Sequence, residues 1–77
     1  MELQVARTVD AKGQKCPMPV LLASRAIKDL PSGAVLVVEA TDGGSRSDIP
    51  AWARDTGHEL LDSASADGVY RYVIRKK

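Results

Sequence analysis

The chain has 77 residues, enough for one small domain, residues 1–77, and no more. A domain of this size buries only about 60% of the surface its unfolded chain exposes, so its core is thin. A hydrophobic fraction of 44% and a charged fraction of 27% argue against disorder, and a net charge of +1 is too small to drive nucleic-acid binding by electrostatics alone.

Met1 to Asp10 carries Glu2, Arg7 and Asp10 and has no apolar stretch of the signal-peptide kind. No apolar run approaches the roughly 20 residues of a membrane span. Cys16 is the only cysteine, so an internal disulfide, a CxxC redox pair and a multi-cysteine zinc site are all excluded. A cytoplasmic setting, with no membrane association and no metal or other cofactor, is the expectation.

Leu3, Val5 and Val9 alternate with polar or small residues, which predicts a strand over about residues 4–10. Arg7 sits on the apolar side of this alternation. Ala11 to Lys15 is a polar loop centred on Gly13, which can take a positive φ, and Asp10 can accept hydrogen bonds from loop amides.

Helical spacing then predicts a helix over about Pro17 to Leu30. Pro19, Val20, Leu22, Ala23, Ala26, Ile27 and Leu30 share its apolar face, and Leu21 lies among its polar residues. Ala34 to Ala40 is a short, β-branched apolar run that reads as a central strand, parallel to the first across a right-handed crossover.

After the turn at Thr41 to Ser47, a second helix is predicted over about Asp48 to Thr56, with Ser47 as N-cap. Ile49, Trp52, Ala53 and Thr56 are placed toward the sheet, with Gly57 as the stop. His58 to Ser65 reads as a strand, Asp67-Gly68 as a hairpin turn, and Val69 to Arg75 as the last strand. Tyr70, Tyr72 and Ile74 point one way along that strand; Arg71 and Arg75 alternate with valines on a face open to water. The predicted fold is a two-layer α/β sandwich of order βαβαββ, a four-stranded mixed sheet with two helices on one face.

The chemistry concentrates between Asp10 and Pro19. Pro17 suits the first helical position and makes Cys16 the N-cap, and Pro19 falls where a missing N–H is harmless. Free amides of the first turn, those of Met18 and Val20 among them, together with the helix dipole, would then favour a sulfur anion and lower the Cys16 pKa. A free cysteine can instead be a small buried apolar residue. The polar loop before it, the nearby Lys12 and Lys15, and the prolines at the helix start favour a reactive sulfur. His58, the only histidine, and Trp52 read as structural, and Gly43-Gly44 as a turn rather than a phosphate loop.

Asp10, Gly13, Cys16, Pro17 and Pro19 make a D-x-x-G-x-x-C-P-x-P pattern that resembles the signature of the TusA/SirA-like sulfur carrier (sulfurtransferase) family. The stretch T-D-G-G-S-R-S-D-I-P-A-W-A-R-D-T-G-H-E-L-L and the closing D-G-V-Y-R-Y-V-I-R-K are similar to that family's second half, so the likeness runs from about Thr8 to Lys76. The resemblance implies a βαβαββ fold and a persulfide carried on Cys16, with Asp10 and Gly13 shaping the loop and Pro17 and Pro19 fixing the helix start. It also implies a sulfur donor, a cysteine desulfurase or rhodanese-like protein. The acceptor would serve tRNA thiolation, molybdenum cofactor synthesis or a sulfur oxidation relay. Gly43 stands where many relatives have proline, and Ala53 where a second cysteine is often found.

The leading expectation is a monomeric sulfurtransferase-type persulfide carrier acting with partner enzymes. Lys12, Lys15, Met18, Leu21 and Arg25 are candidate partner contacts. A regulatory or interaction module of the same fold is the alternative. RNA binding is disfavoured by the small charge and the lack of an aromatic cluster on the open face.

Overall fold

The computed structural model describes residues 4–77, so Leu3 of the first alternation lies outside the described residues. The elements run β1 (Val5–Ala11), α1 (Met18–Lys28), β2 (Val35–Ala40), α2 (Ser45–Thr56), β3 (Glu59–Ala66) and β4 (Val69–Arg75). The sheet order is β1-β2-β4-β3: β1 pairs with β2 in parallel, and β4 is antiparallel to both of its neighbours. This is the expected four-stranded mixed sheet in βαβαββ order.

One face of the sheet packs against both helices. Ala23 and Ile27 of α1, Leu30 just beyond it, and Ile49 of α2 join Leu36, Val38, Tyr72 and Ile74 in one buried cluster. Full burial of an aliphatic side chain stabilises by about 1.5–3 kcal/mol, so these few residues account for much of the fold's cohesion. Val35, Val37 and Val73 pack with Leu61 in a second cluster. These valines alternate along their strands with the helix-facing residues, which puts the second cluster on the other side of the sheet, as the pattern of β4 predicts.

The anomaly at Arg7 has a structural origin. The register of β1 against β2 shifts between Val5 and Arg7, so Val5 pairs with Val35 while Arg7 pairs with Leu36. Val5 therefore lies with the second cluster's residues and is 44% exposed. Arg7 reaches α1, donating to the Ala26 carbonyl at 3.3 Å and lying 3.8 Å from Asp29. A similar shift lies between Leu60 and Asp62 in β3, where Leu60 packs with the helix-side cluster and Leu61 with the other.

The second helix begins earlier than its sequence suggests. Gly44, not Ser47, is the N-cap residue, and Ser45 opens the helix. The cause is tertiary: the buried Ser45 hydroxyl bonds the Tyr72 hydroxyl at 2.8 Å, drawing the helix start onto β4. The early start leaves Pro50 inside the helix, where its missing N–H leaves one helical carbonyl without its usual partner. Ile49 and Ala53 are buried as expected. Thr56 is exposed instead, its hydroxyl donating to the carbonyls of Trp52 and Ala53. Asp67 and Gly68 both take positive φ (54° and 81°), as a tight hairpin between right-twisted strands requires.

Candidate functional site

The loop from β1 to α1 is fastened at both ends. At its start the Lys12 amide donates to Asp10 Oδ1 at 3.0 Å, and the Gln14 amide to the Ala11 carbonyl at 3.1 Å. Gly13 has φ +80°, and its amide donates to Thr41 Oγ1 at 2.9 Å. The Cys16 amide donates to Asp42 Oδ2 at 3.1 Å. Thr41 and Asp42 belong to the turn between β2 and α2, so two backbone amides of one loop are held by two side chains of the other.

Helix α1 starts one residue later than expected. Pro17 is the N-cap, and the Cys16–Pro17 peptide bond is cis. A turn closed by the Met18 amide on the Lys15 carbonyl, at 2.8 Å, carries Cys16 just outside the helix. The Met18 amide is thus occupied and is not a donor to the sulfur. Pro19 is buried, at the second position, and Pro17 is exposed.

Cys16 is exposed. Its Sγ lies 2.7 Å from Asp48 Oδ2, with the thiol donating to the carboxylate. Asp48 sits in the first turn of α2, where the helix dipole favours a negative charge. The contact reverses the expected direction of the Cys16 pKa. The thiol is pushed above its ordinary value of 9.0, first by the hydrogen bond to Asp48, then by partial desolvation and by the negative charges of Asp48 and Asp42. A carboxylate touching the sulfur outweighs a helix terminus that has one proline at its N-cap and another in its first turn.

Gly44 makes the close approach of the loops possible. A Cβ there would come within 3.0 Å of Asp42 Oδ2 and 3.6 Å of the Cys16 Cβ. A depression of about 210 Å³ lined by Gly13, Gln14, Lys15, Thr41 and Asp42 runs alongside. The sulfur is presented at the surface.

The other candidate residues differ in exposure. Lys15 and Arg25 are exposed, Met18 is half-buried, and Leu21 is 43% exposed. Lys12 is engaged with Asp10 at 3.6 Å and Glu39 at 3.5 Å. His58 accepts the Lys77 amide on Nδ1 at 3.2 Å, and its ring centroid is 5.5 Å from that of Trp52. Among the described residues no group of three or more His, Cys, Asp or Glu side chains could hold a metal ion. No helix among them is long and apolar enough to cross a membrane.

Asp42 and Asp48 were not singled out in the sequence. Both lie in the T-D-G-G-S-R-S-D-I-P stretch of the family likeness, but nothing local ties either residue to Cys16, 26 and 32 positions away.

A small two-layer α/β domain with one exposed cysteine at a loop–helix junction is the class that fold and site define. The family described as Sulfurtransferase TusA matches residues 7–76, and the chain belongs to it. A protein of Neisseria meningitidis serogroup A is 46% identical over 72 residues, covering 94% of this chain and 97% of its own. A Pseudomonas fluorescens protein named sulfur carrier protein TusA is 45% identical over 75 residues, covering 97% and 90%. The crystal structure of a SirA-like protein from Desulfitobacterium hafniense superposes with a TM-score of 0.81 at 32% identity, over 90% of this chain and 95% of that one.

Proposed function

We propose that the protein is a sulfur carrier: Cys16 accepts sulfane sulfur as a persulfide from a donor protein and passes it to an acceptor protein. The observation that carries the reading is the exposed Cys16 Sγ, the only cysteine sulfur of the chain, held at the surface between two fastened loops. Membership of a sulfurtransferase family and relatives named sulfur carriers support sulfur as the cargo.

In the loading step the Cys16 sulfur attacks the outer sulfur of a donor persulfide. A new S–S bond forms, the donor's S–S bond breaks, and its electron pair leaves with the donor sulfur. The Cys16 proton ends on that donor sulfur, so a thiol and a persulfide exchange roles and no outside oxidant is needed. Discharge is the same exchange with an acceptor thiol. A cysteine desulfurase or rhodanese-like protein is the class of donor, and tRNA thiolation, molybdenum cofactor synthesis and sulfur oxidation are the candidate destinations. Exposed Lys15, Arg25 and Leu21 and half-buried Met18 are candidate docking contacts, and so is Lys12, whose ammonium is already engaged with Asp10 and Glu39.

Incubation with a cysteine desulfurase and cysteine, followed by intact-mass measurement, should add one sulfur to the wild type and none to Cys16→Ala. Absence of an adduct with every desulfurase and rhodanese donor tried would remove the carrier reading.

A further inference from the structure

We propose that Asp48 is the positioning residue of the carrier: its carboxylate holds the unloaded Cys16 as a hydrogen-bonded thiol, and the loaded Sγ, which carries a sulfur atom in place of that proton, is displaced from it. This rests on the carrier reading for what the cargo is, but not for what Asp48 does to the empty protein.

The geometry is specific. Asp48 Oδ2 is 2.7 Å from Sγ, while the other nearby carboxylate, Asp42, spends its Oδ2 on the Cys16 backbone amide at 3.1 Å. A carboxylate so close to sulfur is favourable only with a proton between them. The charged groups facing the sulfur are Asp48 from α2 and Asp42 from the preceding turn, and both act against a thiolate. In the cysteine's own loop, Lys15 is exposed and Lys12 is drawn off to Asp10 and Glu39.

Loading changes the contact. A sulfur atom now occupies the bond that the thiol proton had on Sγ, so Sγ and the carboxylate oxygen face each other with lone pairs only. A persulfide also ionises more readily than a thiol, which places negative charge near Asp48. Both effects turn the loaded side chain away from α2 and toward solvent, where an acceptor can reach the outer sulfur. In the empty carrier the same contact keeps the free sulfur a weak nucleophile toward indiscriminate electrophiles. One aspartate thereby distinguishes the two states of its cargo site.

The test is the pH profile of Cys16 alkylation by iodoacetamide in wild type, Asp48→Asn and Asp42→Asn. Asp48→Asn should move the midpoint to lower pH and react faster at pH 7, by about threefold for each unit of the fall, because the gain in thiolate outweighs its lower intrinsic nucleophilicity. Asp42→Asn should move it less. As a reference free of any variant's folding, the wild-type midpoint should lie higher in the native protein than in the same chain unfolded by urea. A native midpoint at or below the urea value, or an Asp48→Asn profile equal to that of wild type, overturns the proposal. Loading with glutathione persulfide, run in parallel, separates the two readings. A wild type that titrates as stated yet takes up no sulfur removes the carrier, and one that loads with an unshifted profile removes Asp48.

Discussion

The hydrogen bond between Ser45 and Tyr72 joins the start of α2 to β4, and so fixes the helix turn from which Asp48 reaches Cys16. Both residues are buried, at 1% and 3% exposure. Tyr72→Phe keeps the ring and deletes one hydroxyl, leaving the Ser45 hydroxyl without its partner. Stranding a buried polar group costs about 1–3 kcal/mol, whereas replacing both partners with apolar groups can be nearly neutral. In a domain this small each 1 kcal/mol lowers Tm by about 4–8 °C, so Tyr72→Phe should lose at least about 4 °C. Ser45→Ala should lose a similar amount, because it strands the tyrosine hydroxyl instead. The double variant should be no less stable than the poorer single one, which corresponds to a coupling of at least about 1 kcal/mol. Thermal unfolding followed by circular dichroism at neutral pH reads all four proteins. Losses that simply add would show that the two hydroxyls are not partners, and the account of why α2 starts at Ser45 would fall with them.

Leu36 is fully buried at the centre of the helix-side cluster, and Leu36→Ala should cost about 2–5 kcal/mol, read by urea unfolding with an unchanged m-value. His58 has its pKa lowered from 6.5 by burial first and then by Lys77 and Lys76, so its neutral form is favoured in the folded state. The stability it contributes is full above pH 6.5 and is lost as the pH falls through the folded pKa. An NMR titration should place the His58 midpoint below 6.5, and a midpoint at or above that value would contradict the packing described. Gly44→Ala suits the helical backbone there, at φ −62°, but its Cβ presses on Asp42 Oδ2 from 3.0 Å. The helix should survive while the Cys16 amide, released from Asp42, exchanges faster with deuterium; unchanged protection would mean that the carboxylate does not hold that amide.

The fold was legible because each element carries its own period. The alternation of Tyr70, Tyr72 and Ile74 against Val73 assigns the two faces of the sheet without reference to anything else. Arg7 was legible only as an anomaly, since a register shift inside β1 is a property of the pair β1–β2 and not of β1 alone. The start of α2 was misjudged for a related reason. Serine is the better cap by propensity, but the Ser45–Tyr72 bond joins residues 27 positions apart and overrides it.

At the site, the motif located Cys16, Gly13 and the prolines, which the structure strings from one fastened loop into the first turn of α1. The direction of the thiol's pKa is not legible in the sequence, because only the helix that follows the cysteine is local to it. The decisive charge sits on the other helix, where Asp48 reads in sequence as an ordinary acidic residue of a first turn. Charges brought together by tertiary structure leave no local trace, whereas a motif that shapes its own loop does.

Following one labelled sulfur atom decides whether Cys16 carries sulfur between proteins. The protein is loaded from a desulfurase with isotopically labelled cysteine, freed of donor, digested and sequenced by mass spectrometry, with and without prior addition of an acceptor thiol. Label should appear on the Cys16 peptide alone, pass to the acceptor on its addition and be absent throughout from Cys16→Ala. Label elsewhere in the chain, or label that stays on Cys16 whatever acceptor is offered, would contradict the carrier role.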